Sequence, residues 1–111
     1  KSIYVADVDR DGDMDLHVAN MFSYAGSRVT RQAMFQPDAS MTTRAAYQRF
    51  SKGNTLFKNL DSGKFTEISS EAAVQMGRWA WGSVFTDLNN DGWEDLVVAN
   101  GYFTTQDTGD L

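Results

Sequence analysis

The chain contains no cysteine, a single histidine and a single proline among its 111 residues. The absence of cysteine excludes disulfides and thiol chemistry, and it is compatible with either side of a membrane. Zinc and copper sites rely on thiolates or clustered imidazoles, so such sites are not expected. The one histidine, His17, lies between apolar neighbours and has no cysteine or serine elbow to accompany it. We therefore expect no enzymatic activity from this chain.

Long hydrophobic runs are also missing. No stretch is long and apolar enough to predict a transmembrane helix, and no signal peptide is visible, so membrane insertion is not expected. Charged residues make up 23 % of the chain and hydrophobic residues 41 %, which is typical of a folded domain with a modest core. The net charge is −5. Since no nucleic-acid recognition module is evident either, nucleic acid is not an expected partner.

The negative charge is concentrated in two nine-residue segments, residues 7–15 (loop one) and residues 87–95 (loop two). Both have oxygen-bearing side chains at the first, third, fifth and ninth places and glycine at the sixth. In such a loop alternate side chains turn their oxygens into one concavity, while the glycine adopts the positive φ that folds the chain around an ion. The oxygen donors are Asp7, Asp9, Asp11 and Asp15 in loop one, and Asp87, Asn89, Asp91 and Asp95 in loop two. The pattern predicts two Ca²⁺ sites, because Mg²⁺ prefers a smaller octahedral shell.

The residues around each loop indicate which kind of calcium loop this is. An EF-hand joins two helices and ends in a bidentate carboxylate at its twelfth place, where this chain has Val18 and Val98. The flanking segments are short and β-branched, so each loop is predicted to join two strands. The pattern Asp-Leu-x-Val-Ala-Asn recurs at 15–20 and 95–100, which indicates an internal duplication. Because all four donor side chains of loop one are carboxylates, whereas one donor of loop two is the amide of Asn89, loop one is predicted to bind calcium more tightly than loop two.

A β-hairpin follows later in the first half of the duplication. Residues 55–60 and 64–69 alternate apolar with polar around an Asp-Ser-Gly turn, in which Gly63 supplies the left-handed position. Together with the two strands around loop one, this hairpin gives a four-stranded antiparallel unit from about residue 2 to residue 69. A second unit begins near Trp81 and includes two strands. The predicted fold class is therefore all-β.

Residues 21–53 form an insertion between the second and third strands of the first unit. It has one acidic residue, Asp38, and five basic ones, which are Arg28, Arg31, Arg44, Arg49 and Lys52. Ser40 is a suitable N-cap before good helix formers, which predicts a short helix over 40–50, and Pro37 fits the loop that leads into it. Two interpretations remain open: a surface for an anionic polysaccharide or acidic partner, or a solvated helix that covers the rim of the unit.

Trp79 and Trp81 are two residues apart, so within a strand they would share a face. They are candidate ligand-binding residues, because paired indole rings can form a platform for a sugar ring. The alternative is that both rings fill the space between neighbouring units.

Three parts of the chain resemble FG-GAP/VCBS repeats. The first is loop one, and the second is the segment Asn-Thr-Leu-Phe-Lys-Asn-Leu-Asp-Ser-Gly-Lys-Phe-Thr-Glu-Ile at 54–68. The third is the segment that begins Trp-Ala-Trp-Gly at 79 and runs through loop two. More narrowly, they resemble the repeats of large secreted bacterial proteins related to cartilage acidic protein, which often carry an ASPIC/UnbV domain. The resemblance covers most of the chain except the insertion. It implies blades of an antiparallel β-propeller, with the donor side chains above as calcium ligands and the seventh places, Asp13 and Trp93, contributing backbone carbonyls.

On that resemblance, residues 1–69 form a first blade that contains the insertion, and residues 70–111 form the start of the next. A propeller typically needs about four to eight blades. The expected partners are therefore the remaining blades of a larger protein, or another copy that pairs with the open strand edges.

Calcium loops of this type commonly need about millimolar calcium, which favours an extracellular, cell-surface or periplasmic location. The expected function is a structural or adhesive module whose partner is a glycan or an extracellular protein. The alternative is the non-catalytic scaffold of a polysaccharide-active enzyme.

Overall fold

The computed structural model describes residues 2–61 and 63–101, which form six strands and two helices. In chain order they are β1 (Ser2–Ala6), β2 (Asp15–Ala19), α1 (Tyr24–Val29), α2 (Met41–Phe50), β3 (Thr55–Asn59), β4 (Phe65–Glu67), β5 (Ala80–Thr86) and β6 (Asp95–Asn100). Strands β1 to β4 form one antiparallel sheet in sequential order, and β5 and β6 form a separate antiparallel pair. The prediction of a four-stranded unit followed by two further strands is confirmed. These six strands form two open sheets rather than a closed propeller, and residues 102–111 of the predicted second unit lie outside the described residues.

The hairpin between β3 and β4 has the predicted turn, in which Gly63 adopts a φ of 78°. Strand β4 is shorter than the predicted segment 64–69, because Ser69 bonds to the sheet through its side chain. The Ser69 hydroxyl accepts a hydrogen bond from the Leu56 amide at 2.9 Å and donates one to the Glu67 carboxylate at 3.0 Å. The regular backbone pairing of β3 with β4 therefore ends before residue 69, where side-chain hydrogen bonds replace it.

The insertion contains the predicted helix and one that was not predicted. Helix α2 begins after Ser40, whose hydroxyl accepts a hydrogen bond from the Thr43 amide at 3.1 Å, as expected of an N-cap. Helix α1 is capped in the same way by Ser23, which accepts from the Gly26 amide at 2.9 Å. Because glycine within a helix weakens the helical signal, the six residues of α1 gave no pattern to recognise.

Two of the five basic side chains in the insertion have internal partners. Arg44 donates hydrogen bonds at 2.8–3.2 Å to three backbone carbonyls that precede α2, those of Ala33, Phe35 and Gln36. Arg49 pairs with Glu67 of β4 at 2.9 Å, and its guanidinium lies 4.8 Å from the ring centroid of Phe57 in β3. Arg44 thus fixes the loop before α2, and the Arg49 contacts attach α2 to the first sheet, as in the interpretation of a helix that covers the rim.

The core lies between the two sheets. Phe85 of β5 is only 7 % exposed and packs against Tyr4 of β1 and His17 of β2, with ring centroids 5.8 and 5.7 Å apart. The core cluster consists of Ala6, Leu56 and Phe85, surrounded by Tyr4, Val8, Ile68, Val74 and Leu96. On the opposite face of the first sheet, Ile3 and Val5 are 69 % and 51 % exposed. The first sheet therefore buries one face against the second unit and leaves apolar side chains exposed on the other.

Neither described helix has the length and apolar character that crossing a membrane would require.

Candidate functional site

Loop one joins β1 to β2 and is held by hydrogen bonds from its own backbone amides to its acidic side chains. There are five such bonds, at 2.9–3.3 Å: Asp11 and Gly12 donate to Asp7, Asp11 also donates to Asp9, Asp13 donates to Asp11, and Val8 donates to Asp15. Loop two, between β5 and β6, has the same five bonds at equivalent positions, at 2.8–3.1 Å. There Asp91 and Gly92 donate to Asp87, Asp91 also donates to Asn89, Trp93 donates to Asp91, and Leu88 donates to Asp95. The duplication seen in the sequence is therefore a duplication of loop conformation.

The loop backbones turn through left-handed residues at two places. The sixth-place glycines, Gly12 and Gly92, have φ values of 95° and 87°, as predicted from the sequence. The fourth-place residues, Arg10 and Asn90, are also left-handed, with φ values of 62° and 61°. Asparagine is enriched in this conformation, whereas arginine is not, so Arg10 carried no sequence signal for it.

Three carboxylates of loop one converge on one point. Asp7, Asp9 and Asp15 each offer an oxygen atom, and these three atoms lie within 4.8 Å of one another. The group does not include Asp11 or Asp13. A donor set made only of carboxylate oxygens fits a hard cation such as Ca²⁺ and is poorly suited to softer metals.

Asp15 is the best-fixed member of this group. It is buried at the start of β2. One of its oxygens accepts the Val8 amide at 3.1 Å, and the other accepts the Asn59 amide at the end of β3 at 2.8 Å. Because Asn59 is far away in the sequence, this support from β3 was not predicted. The first sheet therefore positions the carboxylate that closes loop one.

Loop two presents a different donor set. Among residues 2–61 and 63–101, no group of three acidic, histidine or cysteine side chains other than the one in loop one converges in this way. The third place of loop two is the amide of Asn89, whose oxygen accepts from the Asp91 amide and whose nitrogen donates to the Asp91 carboxylate, both at 2.9 Å. Loop two thus has the conformation of loop one with one fewer carboxylate at the donor positions.

Lys58 of β3 reaches into loop one. Its ammonium group forms an ion pair with the Asp9 carboxylate and lies 3.4 Å from an oxygen of Asp11. The hydrogen bond from Lys58 holds the pKa of Asp9 below its usual range, and the same bond raises the pKa of Lys58. Sequence analysis missed this residue, because a lysine at a polar position of a strand carries no signal of a distant partner.

The two loops contact each other through their side chains. The Arg10 guanidinium of loop one lies over the Trp93 ring of loop two, 4.6 Å from its centroid. Arg10 lies between the candidate donors Asp9 and Asp11, and the Trp93 amide donates a hydrogen bond to the candidate donor Asp91. The contact therefore joins the two loops through side chains that lie next to candidate oxygen donors.

A family model for the FG-GAP-like repeat matches residues 43–98, a span that runs from α2 through loop two into β6. The chain belongs to the FG-GAP-like repeat family. Loop one precedes the matched span, but its hydrogen bonds are those of loop two. No curated protein and no solved structure matches this FG-GAP-like chain.

Trp79 and Trp81 of the FG-GAP-like chain do not share a strand, contrary to the sequence-based prediction. Trp79 lies immediately before β5, and the pairing of β5 with β6 is irregular between Ala80 and Gly82. Trp81 is 59 % exposed, and its indole N–H donates to the Gly101 carbonyl at 2.6 Å. The simple alternation that would place both rings on one face therefore does not apply.

His17 is packed in the interface between the two sheets. It is fully buried, and its Nδ1 atom lies 2.8 Å from the Ser83 hydroxyl of β5. The buried Nε2 atom has no hydrogen-bond partner among the residues that the structure describes. Burial lowers the pKa of His17, because the desolvated site disfavours the imidazolium form.

Proposed function

We propose that this FG-GAP-like chain is a calcium-stabilised module of a β-propeller, with a structural or adhesive role in a secreted or surface protein. The observation that carries the proposal is the convergence of carboxylate oxygens from Asp7, Asp9 and Asp15 in a loop whose hydrogen bonds are repeated in loop two. Calcium at such a site neutralises side chains that otherwise repel one another, and so it stabilises the folded loops. In loop one, Asp11 and the backbone at Asp13 would complete the shell. In loop two the donors would be Asp87, Asn89, Asp91 and Asp95, with the backbone at Trp93.

The way in which the two units pack supports a propeller. Ser83 and Phe85 of the second unit face the first sheet, and in the repeat they correspond to Ile3 and Val5 of the first unit. Ile3 and Val5 are exposed. If the same packing were repeated once more, another unit would cover them. Further blades of a larger protein, or a second copy of this chain, are the proposed occupants.

The proposed location is extracellular, cell-surface or periplasmic, because loops of this kind commonly require about millimolar calcium. Within the FG-GAP-like family, the narrower relationship that we propose is with the repeats of ASPIC/UnbV-associated proteins related to cartilage acidic protein. In this proposal the module itself is not an enzyme.

Thermal unfolding with calcium or with a chelator tests the proposal. Calcium at a hundredfold excess over the Kd of a site should add about 2.7 kcal/mol to the free energy of unfolding for each loop that it occupies, and the Tm should rise. Asp7→Ala should remove the contribution of loop one and leave that of loop two. Asp38→Ala is the matched control, since it deletes the same charge from an exposed position in the insertion. A Tm that calcium does not change would overturn the proposal.

A second candidate function is glycan binding, either in adhesion or in the scaffold of a polysaccharide-active enzyme. It is favoured by Trp81, because an indole ring that is largely exposed and fixed by a hydrogen bond is suited to stacking on a sugar. A glycan array probed with the protein and with Trp81→Leu tests this function. Loss of binding in a variant with unchanged Tm would support a glycan site, whereas equal binding would exclude Trp81 from it.

A further inference from the structure

Lys58 is held in place by the sheet and not only by its ionic partners. It lies in the centre of the pairing between β3 and β4, where it is opposite Thr66. From this position its side chain contacts Asp9, which belongs to the convergent oxygen group, and approaches Asp11, the fifth-place donor. A cationic group therefore already lies at carboxylates that calcium would use.

Among the described residues, no lysine or arginine forms an ion pair with an acidic side chain of loop two. The cation that does reach loop two, Arg10, lies over the Trp93 ring, 4.6 Å from its centroid, and not at a carboxylate. The two loops otherwise share their five backbone hydrogen bonds and both of their left-handed places. The presence of Lys58 is thus a difference between two sites that have the same backbone design.

We infer that Lys58 is a built-in counter-ion of loop one, which calcium must displace from Asp9 in order to bind. This inference rests on the proposed function, because it concerns the response of the same loop to calcium. The ammonium group lowers the calcium affinity of loop one by competing for its oxygens and by repelling the ion. It also keeps loop one ordered in the absence of calcium, since it offsets the repulsion among the carboxylates. Lys58 therefore reduces the difference in calcium affinity between loop one and loop two that the additional carboxylate of loop one would produce.

The test measures calcium binding at loop one alone, by calorimetry in an Asp87→Ala background that disables loop two. Lys58→Met keeps the length of the side chain and removes its charge. Lys64→Met is the matched control, because it removes the same charge from an exposed lysine of the same hairpin, one that pairs with no acidic side chain within residues 2–61 and 63–101. A unit charge about 4 Å away in a water-like medium changes affinity by about fivefold or more. Lys58→Met should therefore bind calcium at least about fivefold more tightly than the parent, whereas Lys64→Met and Lys58→Arg should bind like the parent.

A second readout does not depend on calcium binding. In chelator, Lys58→Met should unfold at a lower Tm than the parent, and Lys64→Met should not. If Lys58→Met does not fold, Lys58→Gln replaces it in both measurements. Calcium binding that is equal in the parent, Lys64→Met and Lys58→Met overturns the inference and leaves the proposed function standing. If none of the variants or the parent binds calcium, the proposed function fails, and the inference fails with it.

Discussion

The guanidinium of Arg10 lies 4.6 Å from the centre of the Trp93 ring, so the fourth residue of one acidic loop contacts the seventh residue of the other. Arg10 is a left-handed residue of loop one, and the Trp93 amide donates to Asp91 within loop two. A contact of this kind at an exposed position contributes about 0.5–1 kcal/mol. It provides a direct physical link between the two candidate calcium sites.

We expect a double-mutant cycle on Arg10→Gln and Trp93→Leu to give a coupling energy of about 0.5–1 kcal/mol in urea unfolding. The Arg31→Gln variant is the matched control, because it removes the same charge from an exposed position in the insertion. Combined with Trp93→Leu, it should give additive effects. A coupling energy indistinguishable from that of the control would show that the contact contributes nothing to stability.

Adjacent residues of β5 should differ sharply in their tolerance of truncation. Phe85 is 7 % exposed and Val84 is 40 % exposed. Phe85→Ala leaves a cavity between the sheets and should cost about 3–5 kcal/mol, with Phe85→Leu costing less. Val84→Ala should change the free energy of unfolding by less than about 1 kcal/mol. Denaturant unfolding measures both, and equal losses at the two positions would contradict the assigned core.

The Tm of the protein should fall as the pH is lowered from 7.5 to 5.5, and His17 should account for part of that fall. Burial lowers the pKa of His17 in the folded state, so the unfolded chain takes up the proton first as the pH drops below about 6.5. The contribution of neutral His17 to the free energy of unfolding is therefore fully present above that pH, and it is lost as the pH falls towards the pKa of His17 in the folded state. In His17→Gln the fall in Tm over this range should be smaller. Identical pH profiles for the parent and the variant would be inconsistent with a neutral, buried imidazole.

The left-handed turn in loop one should be sensitive to a single methyl group. Gly12 has a φ of 95° and open space around it, so Gly12→Ala tests the backbone conformation without a steric clash. We expect a loss of about 1 kcal/mol in the free energy of unfolding. The control is Gly82→Ala, because an added Cβ at Gly82 also finds room and its φ is not left-handed. If Gly82→Ala lowers stability as much as Gly12→Ala does, the conformational argument for Gly12 is wrong.

The features that could be predicted from the sequence are those that local residues determine. The glycine at the sixth place of each loop, the turn at Gly63 and the helix after Ser40 all follow from neighbours within a few positions. Such signals survive because backbone geometry and capping act over short stretches of chain. They were sufficient to predict the strands, the loops and the position of the insertion.

The features that were missed depend on residues that are distant in the sequence. Lys58 reaches Asp9 only because β3 lies beside β2, and Arg10 reaches Trp93 only because the second unit packs on the first. The bond from Asn59 to Asp15 has the same origin. Neither periodicity nor composition specifies which strands become neighbours at which register, so these partners become visible only in the folded chain.

The ends of the insertion lie next to each other. Phe22 forms an isolated bridge with Lys52, and the Asn20 amide donates to the Asn54 side chain at 3.0 Å. A segment that leaves and rejoins a sheet at adjacent points can be lengthened, shortened or exchanged at little cost to the sheet. The insertion can therefore vary in length and sequence while the strands and loop one keep their geometry, which lets the module present different surfaces at its rim.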